Sequence, residues 1–120
     1  MATRLWLVPL PWGEGTALEL PHRETVTSIG RCPTNAFIIP RAHLYVSREH
    51  CRIRSNLPET DVVVLEDLSP NGTYINGKRV GKGYSKVLKC GDVISLAKPK
   101  ATRARLQIQL AIYKVRRSNL

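Results

Sequence analysis

Residues 105–115, RLQIQLAIYKV, alternate apolar and polar side chains with a period of two. In an extended chain, successive side chains point to opposite faces, so the apolar members would share one face and the glutamines the other. The apolar members are Leu106, Ile108, Leu110 and Ile112. The stretch is typical of a β-strand that packs one face on a core and leaves the other in solvent.

Shorter runs rich in Val, Ile, Leu and Tyr recur along the rest of the chain, between clusters of Gly, Pro, Asn and Ser. This pattern is typical of short strands joined by tight loops. No segment has the pattern of a long helix, and parallel sheets need long crossovers, so we predict an all-β, antiparallel sandwich. The predicted strands cover 4–8, 16–20, 25–29, 37–39, 50–54, 62–66, 73–75, 86–88, 93–96 and 105–115.

The chain has 120 residues, the usual size of one domain with one core. We predict a single domain over 1–120 with its core at about 4–115. No apolar run approaches the roughly 20 residues that cross a bilayer, so a membrane span is not expected and the location should be intracellular. Cys32, Cys51 and Cys90 are scattered without a CxxC pair, which argues against a disulfide framework and against a metal site.

The chain is strongly basic, with 19 Lys and Arg against nine Asp and Glu and a formal net charge of +10. Such a field attracts anions of any kind. Nucleic acid and phosphorylated proteins are both possible partners on this ground, and a merely solvated basic surface is a third interpretation. The positions of the basic residues must decide among them.

Three short motifs fall at predicted strand–loop junctions. They are GR at 30–31, SREH at 47–50 and DLSPNGT at 67–73, and a further NG follows at 76–77. Each alone is a weak signal, because Asn-Gly marks ordinary turns and a Ser and a His three residues apart often occur by chance. Together and in this order, GR, SxxH and NGT resemble the pattern of the forkhead-associated (FHA) domain.

The resemblance implies both a fold and a function. FHA domains are FHA/SMAD-like sandwiches of about eleven strands with their binding loops at one end, in agreement with the strand prediction. They are non-enzymatic modules that bind an extended phosphothreonine-containing segment of a partner protein, without a cofactor, in signalling or in DNA-damage or cell-cycle control. Leu5-Trp6 and 80–83 are similar to the FHA domains of checkpoint-type kinases. The resemblance implies a location in the nucleus, the cytoplasm or both, with the nucleus as the family expectation, and a monomer is expected.

The motif positions imply roles for individual residues. Arg31 and Ser47 would contact the phosphate oxygens, with Arg48 as a further contact. Phosphothreonine carries about −1.5 to −2 charges and three acceptor oxygens, which suit guanidinium forks and a hydroxyl donor. Asn71 would bind the main chain of the peptide, because an amide offers both a donor and an acceptor.

The other motif residues would shape the site. Tyr45 would influence which flanking residue of the peptide is preferred. Some relatives have an arginine at this position, and this chain has a tyrosine instead. A preference for an apolar flanking residue is therefore as plausible as one for an acidic residue. Ser69 and Pro70 would form the wall of the phosphothreonine pocket, which also takes the γ-methyl group. The residues expected to brace the loops are Gly30, His50, Asp67, Gly72, Thr73 and Asn76.

Two other function classes compete with this interpretation. A basic β-domain that binds nucleic acid could extend its patch through Arg103, Arg105, Arg116 and Arg117. Aromatic residues, however, make up only 6% of the chain, whereas such proteins interleave aromatic and basic side chains as stacking platforms. An enzyme would need more than a serine and a histidine three residues apart, since no orienting carboxylate, phosphate loop or metal cluster accompanies them.

Overall fold

The computed structural model describes residues 2–9, 17–57, 59–98 and 107–115. Within these ranges the chain forms eleven β-strands and no helix, so it has no helix that could cross a membrane. The strands are β1 Ala2–Pro9, β2 Leu18–Glu19, β3 Glu24–Gly30, β4 Phe37–Ile38, β5 Cys51–Asn56, β6 Val63–Asp67, β7 Tyr74–Ile75, β8 Lys78–Arg79, β9 Ser85–Leu88, β10 Val93–Ser95 and β11 Gln107–Val115.

Two sheets form the predicted sandwich. One has six strands in the order β2-β1-β11-β10-β7-β8, and the other has five in the order β4-β3-β5-β6-β9. The stretch that predicted the fold, β11, lies between β1 and β10, and it pairs with all of β1 from Ala2↔Val115 to Pro9↔Ile108. The longest pairing of the fold therefore joins the two ends of the described chain.

One pair departs from the expectation of a purely antiparallel fold. β3 and β4 run in parallel, with Ile29 opposite Phe37 and Gly30 opposite Ile38. The connection 31–36 is far shorter than a normal crossover, and the pairing extends over only these two positions. A turn that Asn35 closes on the Cys32 carbonyl reverses the chain tightly enough for this short contact.

The core fills the space between the sheets. In β5 and β6, every second side chain is buried, so the alternation that predicted strands also separates the core face from the outer face. Ile108 of β11 is fully buried, as its place in the apolar set predicted. The other largest fully buried side chains are Leu5, Leu7, Leu20, Ile29, Ile39, Ile53, Leu57, Leu65, Ile75, Ile94 and Leu96.

Strand β8 is absent from the sequence prediction, because Lys78 and Arg79 are both charged and exposed and show no apolar alternation. A two-residue turn pairs it with β7. Asn76 has φ 51° and Gly77 has φ 83°, as a type I′ hairpin requires. The Asn-Gly dipeptide carried the signal for this hairpin.

Candidate functional site

Strand register brings the three motifs to one end of the five-stranded sheet. Ile29 at the end of β3 pairs with Cys51 at the start of β5, and Cys51 pairs with Asp67 at the end of β6. The loops that leave β3, enter β5 and leave β6 therefore lie side by side. These loops carry GR, SREH and SPNGT.

Hydrogen bonds join the first two motifs directly. The Arg31 N–H donates to the Ser47 carbonyl at 3.1 Å, and the Cys32 N–H donates to the Arg48 carbonyl at 3.1 Å. The Arg31 Nε also donates to the Val46 carbonyl. This bond orients the half-buried guanidinium, while its two Nη groups have no hydrogen-bond partner in the part of the chain that the structure describes.

Three arginines line a depression of about 330 Å³ at this junction. Arg31, Arg41 and Arg48 line it together with Cys32 and Pro33, and no acidic residue does. Glu49, the acidic neighbour of Arg48, is engaged by the Arg52 guanidinium at 2.8 Å. The depression is therefore a cationic site suited to an anion with several acceptor oxygens.

A buried histidine connects the second motif to the third. His50 Nδ1 accepts from the Ser47 N–H at 3.1 Å, and its Nε2 lies 2.9 Å from the Gly72 carbonyl. The first contact requires the neutral tautomer with its proton on Nε2, which then donates to the carbonyl. Burial lowers the pKa of His50, although the Gly72 carbonyl and Asp67 act against this, so the neutral ring is favoured. The Ser47 hydroxyl has no partner among the described residues.

Asp67 organises the loop of the third motif. Its fully buried carboxylate accepts from the Ser69 and Thr73 N–H groups, from both their hydroxyls, and from the Gly81 N–H, at 2.7–3.2 Å. Burial alone would raise the pKa of Asp67, but the hydrogen bonds from Ser69 and Thr73 hold the pKa below its usual value. A charged carboxylate thus ties the 68–73 loop to the turn after β8.

Two residues of this loop differ in their exposure. Ser69 is fully buried and its hydroxyl donates to Asp67, so it lies behind the loop surface, and its part in the pocket wall stays a prediction. Its Oγ also accepts from the Gly72 N–H at 3.0 Å. Pro70 is exposed, as a wall residue must be.

Gly72 is held in a conformation that favours glycine. Its φ is 106°, and a Cβ there would lie 2.9 Å from the Tyr74 ring. The side chain of the exposed Asn71, next to Gly72, reaches the segment just before the second motif, where its Nδ2 donates to the Tyr45 carbonyl at 3.0 Å. The Asn71 Oδ1 has no partner among the described residues.

Two predicted residues lie beside this network. The Tyr45 ring packs edge-on against His43 with the centroids 5.8 Å apart. Asn76 lies farther away, where its side chain bonds Asp92 and the Val93 N–H and so braces the β7–β8 turn against β10.

Comparison with known sequences identifies the family. The sequence model of the FHA domain matches residues 27–97. The chain belongs to the FHA domain family. It is 42% identical over 87 residues to the probable serine/threonine-protein kinase fhkA of Dictyostelium discoideum, covering 68% of this chain and 14% of the kinase. It is 53% identical over 93 residues to the E3 ubiquitin-protein ligase CHFR of Xenopus tropicalis, covering 70% and 14%. The FHA domain thus spans about one seventh of these relatives.

Solved FHA structures share the fold. One, from a structural and functional analysis of phosphothreonine-dependent FHA domain interactions, is 29% identical, has a TM-score of 0.66, and is matched over 96% of this chain and all of the other. The N-terminal FHA domain of S. cerevisiae Rad53p in complex with a phosphothreonine peptide has a TM-score of 0.67 at 22% identity, with 94% and 93% covered. The predicted sandwich and the FHA resemblance are confirmed.

Two residues at the FHA domain's cationic site received no individual role from the sequence. Arg41 follows the short strand β4, and nothing local shows that its loop folds back to Arg31. Asn35 is buried, and its Nδ2 donates to the carbonyls of Cys32 and Arg48 at 2.7 and 2.6 Å. The amide therefore clamps the GR turn to the SREH loop, a role that only the three-dimensional arrangement shows.

Cys32 should be the most reactive thiol of the FHA domain. Hydrogen bonds from Thr34 and Arg48 lower the pKa of Cys32 to about 7, whereas burial raises the pKa of Cys51. At neutral pH we expect iodoacetamide to label Cys32 about fivefold faster than Cys90, although Cys90 is more exposed. Peptide mass spectrometry over time would measure the two rates.

The Thr34→Val variant provides the control, because it removes the hydroxyl that donates to the Cys32 sulfur at 3.2 Å. In this variant the fraction of Cys32 present as thiolate at neutral pH should fall. The labelling of Cys32 should therefore slow, while that of Cys90 stays constant. Equal rates for the two cysteines in the unsubstituted domain would contradict the expectation.

Proposed function

We propose that this FHA domain binds a phosphothreonine-containing segment of a partner protein. The observation that carries the proposal is the cationic depression lined by Arg31, Arg41 and Arg48. Beside it lies the Ser47 hydroxyl, which has no partner in the described part of the chain. A phosphate monoester brings the charge and the three acceptor oxygens that such a set of donors can satisfy. Phosphorylation of the partner would then switch the association on.

Each donor would have a role that follows from its position. The free Nη groups of Arg31, the Arg48 guanidinium and the Ser47 hydroxyl would bind phosphate oxygens, and Arg41 would add charge from the opposite loop. Charge-assisted hydrogen bonds contribute roughly 1.5 to 3 kcal/mol each. Several of these bonds, together with modest apolar contact, are of the size of the approximately −8 kcal/mol of a micromolar complex.

Asn71 would hold the peptide main chain next to the phosphate. Its Oδ1, which no described residue engages, can accept a peptide N–H, and its Nδ2 has a second hydrogen besides the one given to Tyr45. The amide lies on the same loop as the exposed Pro70, so the peptide would run along that loop. The FHA domain would serve as a single module that recruits phosphorylated partners in signalling.

The geometry of Ser47 and His50 supports binding rather than catalysis. The histidine nitrogen that faces the serine accepts its backbone N–H, not its hydroxyl, and the other nitrogen is occupied by Gly72. The ring therefore has no free nitrogen to activate the serine as a nucleophile. We propose that His50 keeps the loops in place and that the domain is not an enzyme.

Titration with peptides tests the proposed function and its main rival together. The FHA domain would be titrated with a degenerate phosphothreonine library, the unphosphorylated and phosphoserine versions, and single-stranded DNA. We expect phosphothreonine peptides to bind, phosphoserine peptides to bind about fourfold more weakly for want of one buried methyl group, and unphosphorylated peptides not to bind. Isothermal titration calorimetry or fluorescence anisotropy would measure the affinities.

Asn71→Ala should weaken binding about tenfold. The control Asn56→Ala, at the opposite end of β5, should leave it unchanged. Salt-dependent DNA binding with no phosphopeptide binding would instead favour the nucleic-acid interpretation. The arginines on which that interpretation relied, Arg103, Arg105, Arg116 and Arg117, lie outside the described residues.

A further inference from the structure

A second group of basic side chains lies beyond the cationic depression. Residues 68–91 contain five Lys and Arg and no acidic residue. All five are exposed, and in the described ranges none of them forms an ion pair. They are Lys78, Arg79, Lys82, Lys86 and Lys89. Two of them lie next to the Asn71 loop, where their charge could act on a bound peptide.

Arg79 is fastened to the side of that loop. Strand β8 places it opposite Tyr74, and the next residue continues the contact, since the Val80 N–H donates to the Thr73 carbonyl at 2.9 Å. The Arg79 Nη2 then donates to the Pro70 carbonyl at 3.3 Å. Its Nε and Nη1 have no partner among the described residues, so part of the guanidinium fork is open.

Lys82 lies at the turn that follows β8. Asp67 holds this turn on both sides, because its carboxylate accepts from the Gly81 N–H at 3.1 Å and its carbonyl accepts from the Gly83 N–H at 2.7 Å. The carboxylate that organises the 68–73 loop therefore also fixes the turn that carries Lys82. The Arg79 side chain is thus bonded to the loop of Asn71 itself, and the backbone on either side of Lys82 is bonded to Asp67, directly before that loop.

The 68–73 loop thus has a cationic group on each side. On one side Asn71 reaches the Tyr45 carbonyl, and beyond it lie Ser47 and the depression. On the other side the loop is bound by Arg79. A peptide that places its phosphothreonine in the depression and crosses Asn71 would meet Arg79 next.

We propose that Arg79, supported by the charge of Lys82, forms a second anion subsite that selects an acidic side chain or a second phosphate in the same bound segment. This subsite rests on the proposed function of the domain. An open guanidinium fork matches a carboxylate or a phosphate in geometry, whereas the lysine contributes a general positive field. Because Arg79 is exposed, the preference should be modest and should weaken as salt is added.

A scan of peptide flanks tests the subsite. A phosphothreonine peptide with alanine at the flanking positions would be compared with versions that carry one glutamate, or one second phosphothreonine, at each flanking position in turn. In low salt we expect one position to improve the affinity about threefold to fivefold with glutamate, and more with phosphate. The two series distinguish the carboxylate from the phosphate as the preferred anion.

Variants assign the effect to the residue. In Arg79→Gln the gain from the anionic flank, taken as the ratio of its affinity to that of the alanine-flanked phosphopeptide for the same variant, should disappear. The control Lys89→Gln removes an equal charge at the far end of β9, where Leu88 pairs with Val63 away from the loops, and should keep the gain. A thermal denaturation curve would check that Arg79→Gln is folded despite the loss of the bond to Pro70.

Three results would overturn the subsite: no flanking anion improves binding, the gain survives in Arg79→Gln, or Lys89→Gln abolishes it equally. In each of these cases the alanine-flanked phosphopeptide still binds, so the proposed function stands. A failure of every phosphopeptide to bind the unsubstituted domain would instead remove both the function and the subsite.

Discussion

The Arg31→Ala variant is expected to bind a phosphothreonine peptide about a hundredfold more weakly than the unsubstituted FHA domain. Arg31 lines the cationic depression, its two Nη groups have no hydrogen-bond partner among the described residues, and its Nε bond to the Val46 carbonyl already fixes its orientation. Loss of two charge-assisted hydrogen bonds of roughly 1.5 kcal/mol or more each corresponds to a factor of that size. Calorimetric titration of both proteins would measure it.

The Arg31→Lys variant separates charge from geometry. A lysine keeps the positive charge, but its single ammonium cannot hold the Val46 carbonyl and grip a phosphate with a planar fork at the same time. We therefore expect it to recover only a small part of the lost affinity. The control Arg54→Ala removes an equal charge from the exposed face of β5, where Arg54 makes only a long contact of 4.0 Å with Glu66, and should bind normally. Unchanged affinity in Arg31→Ala would contradict the assignment.

The loss of binding should not come from unfolding. Arg31→Ala removes the bond to Val46, which contributes about 1 kcal/mol, but the backbone bonds from Arg31 to Ser47 and from Cys32 to Arg48 remain. A denaturation curve with a small shift and an unchanged slope would show that the variant retains the native fold.

The sequence predicted those features that follow from local patterns. The alternation in β11 required a half-buried strand, and ten of the predicted segments correspond to observed strands within a few residues. Motif order was enough to bring Arg31, Ser47 and Asn71 to neighbouring loops, because an antiparallel sheet returns β5 and β6 to the end where β3 leaves it. The site could be located without knowing any loop conformation.

Features that depend on loop conformation could not be predicted. Arg41 is separated from Arg31 by β4 and a turn, so only the parallel β3–β4 contact explains why it lines the same depression. Ser69 carries the same polar side chain whether it lines a pocket or lies under it. It is buried because its hydroxyl donates a hydrogen bond to the Asp67 carboxylate. The spacing of residues in the sequence does not predict that bond.

The largest effect on stability is expected for Gly30→Ala, at the last residue of β3 and directly before Arg31. A Cβ at Gly30 would lie 2.1 Å from the Arg48 carbonyl oxygen, 2.7 Å from its carbon and 2.9 Å from the Glu49 Cα. All three are backbone atoms, so the clash cannot be relieved by the movement of a flexible side chain. We expect the free energy of unfolding to fall by about 3 kcal/mol, or more if the loop cannot yield, and the melting temperature to fall by about 10 °C. Urea and thermal denaturation would measure both.

The same substitution should also weaken phosphopeptide binding in molecules that remain folded. The Arg48 carbonyl that a Cβ would displace accepts hydrogen bonds from the Cys32 N–H at 3.1 Å and from the Asn35 amide at 2.6 Å. Moving it would loosen the clamp between the GR turn and the SREH loop, which positions Arg48 at the depression.

The control for Gly30→Ala is Gly77→Ala. Gly77 has φ 83° and open space around a Cβ, so its substitution costs only the backbone strain of about 1 kcal/mol and leaves the binding loops in place. Equal losses of stability and equal affinities in the two variants would contradict this explanation. They would mean that the close approach of β3 to the SREH loop does not hold the phosphate-binding arginines together. A larger loss of both quantities in Gly30→Ala alone is the result expected from the contacts of the Arg48 carbonyl, since one displaced oxygen then disturbs the packing and the binding site at once.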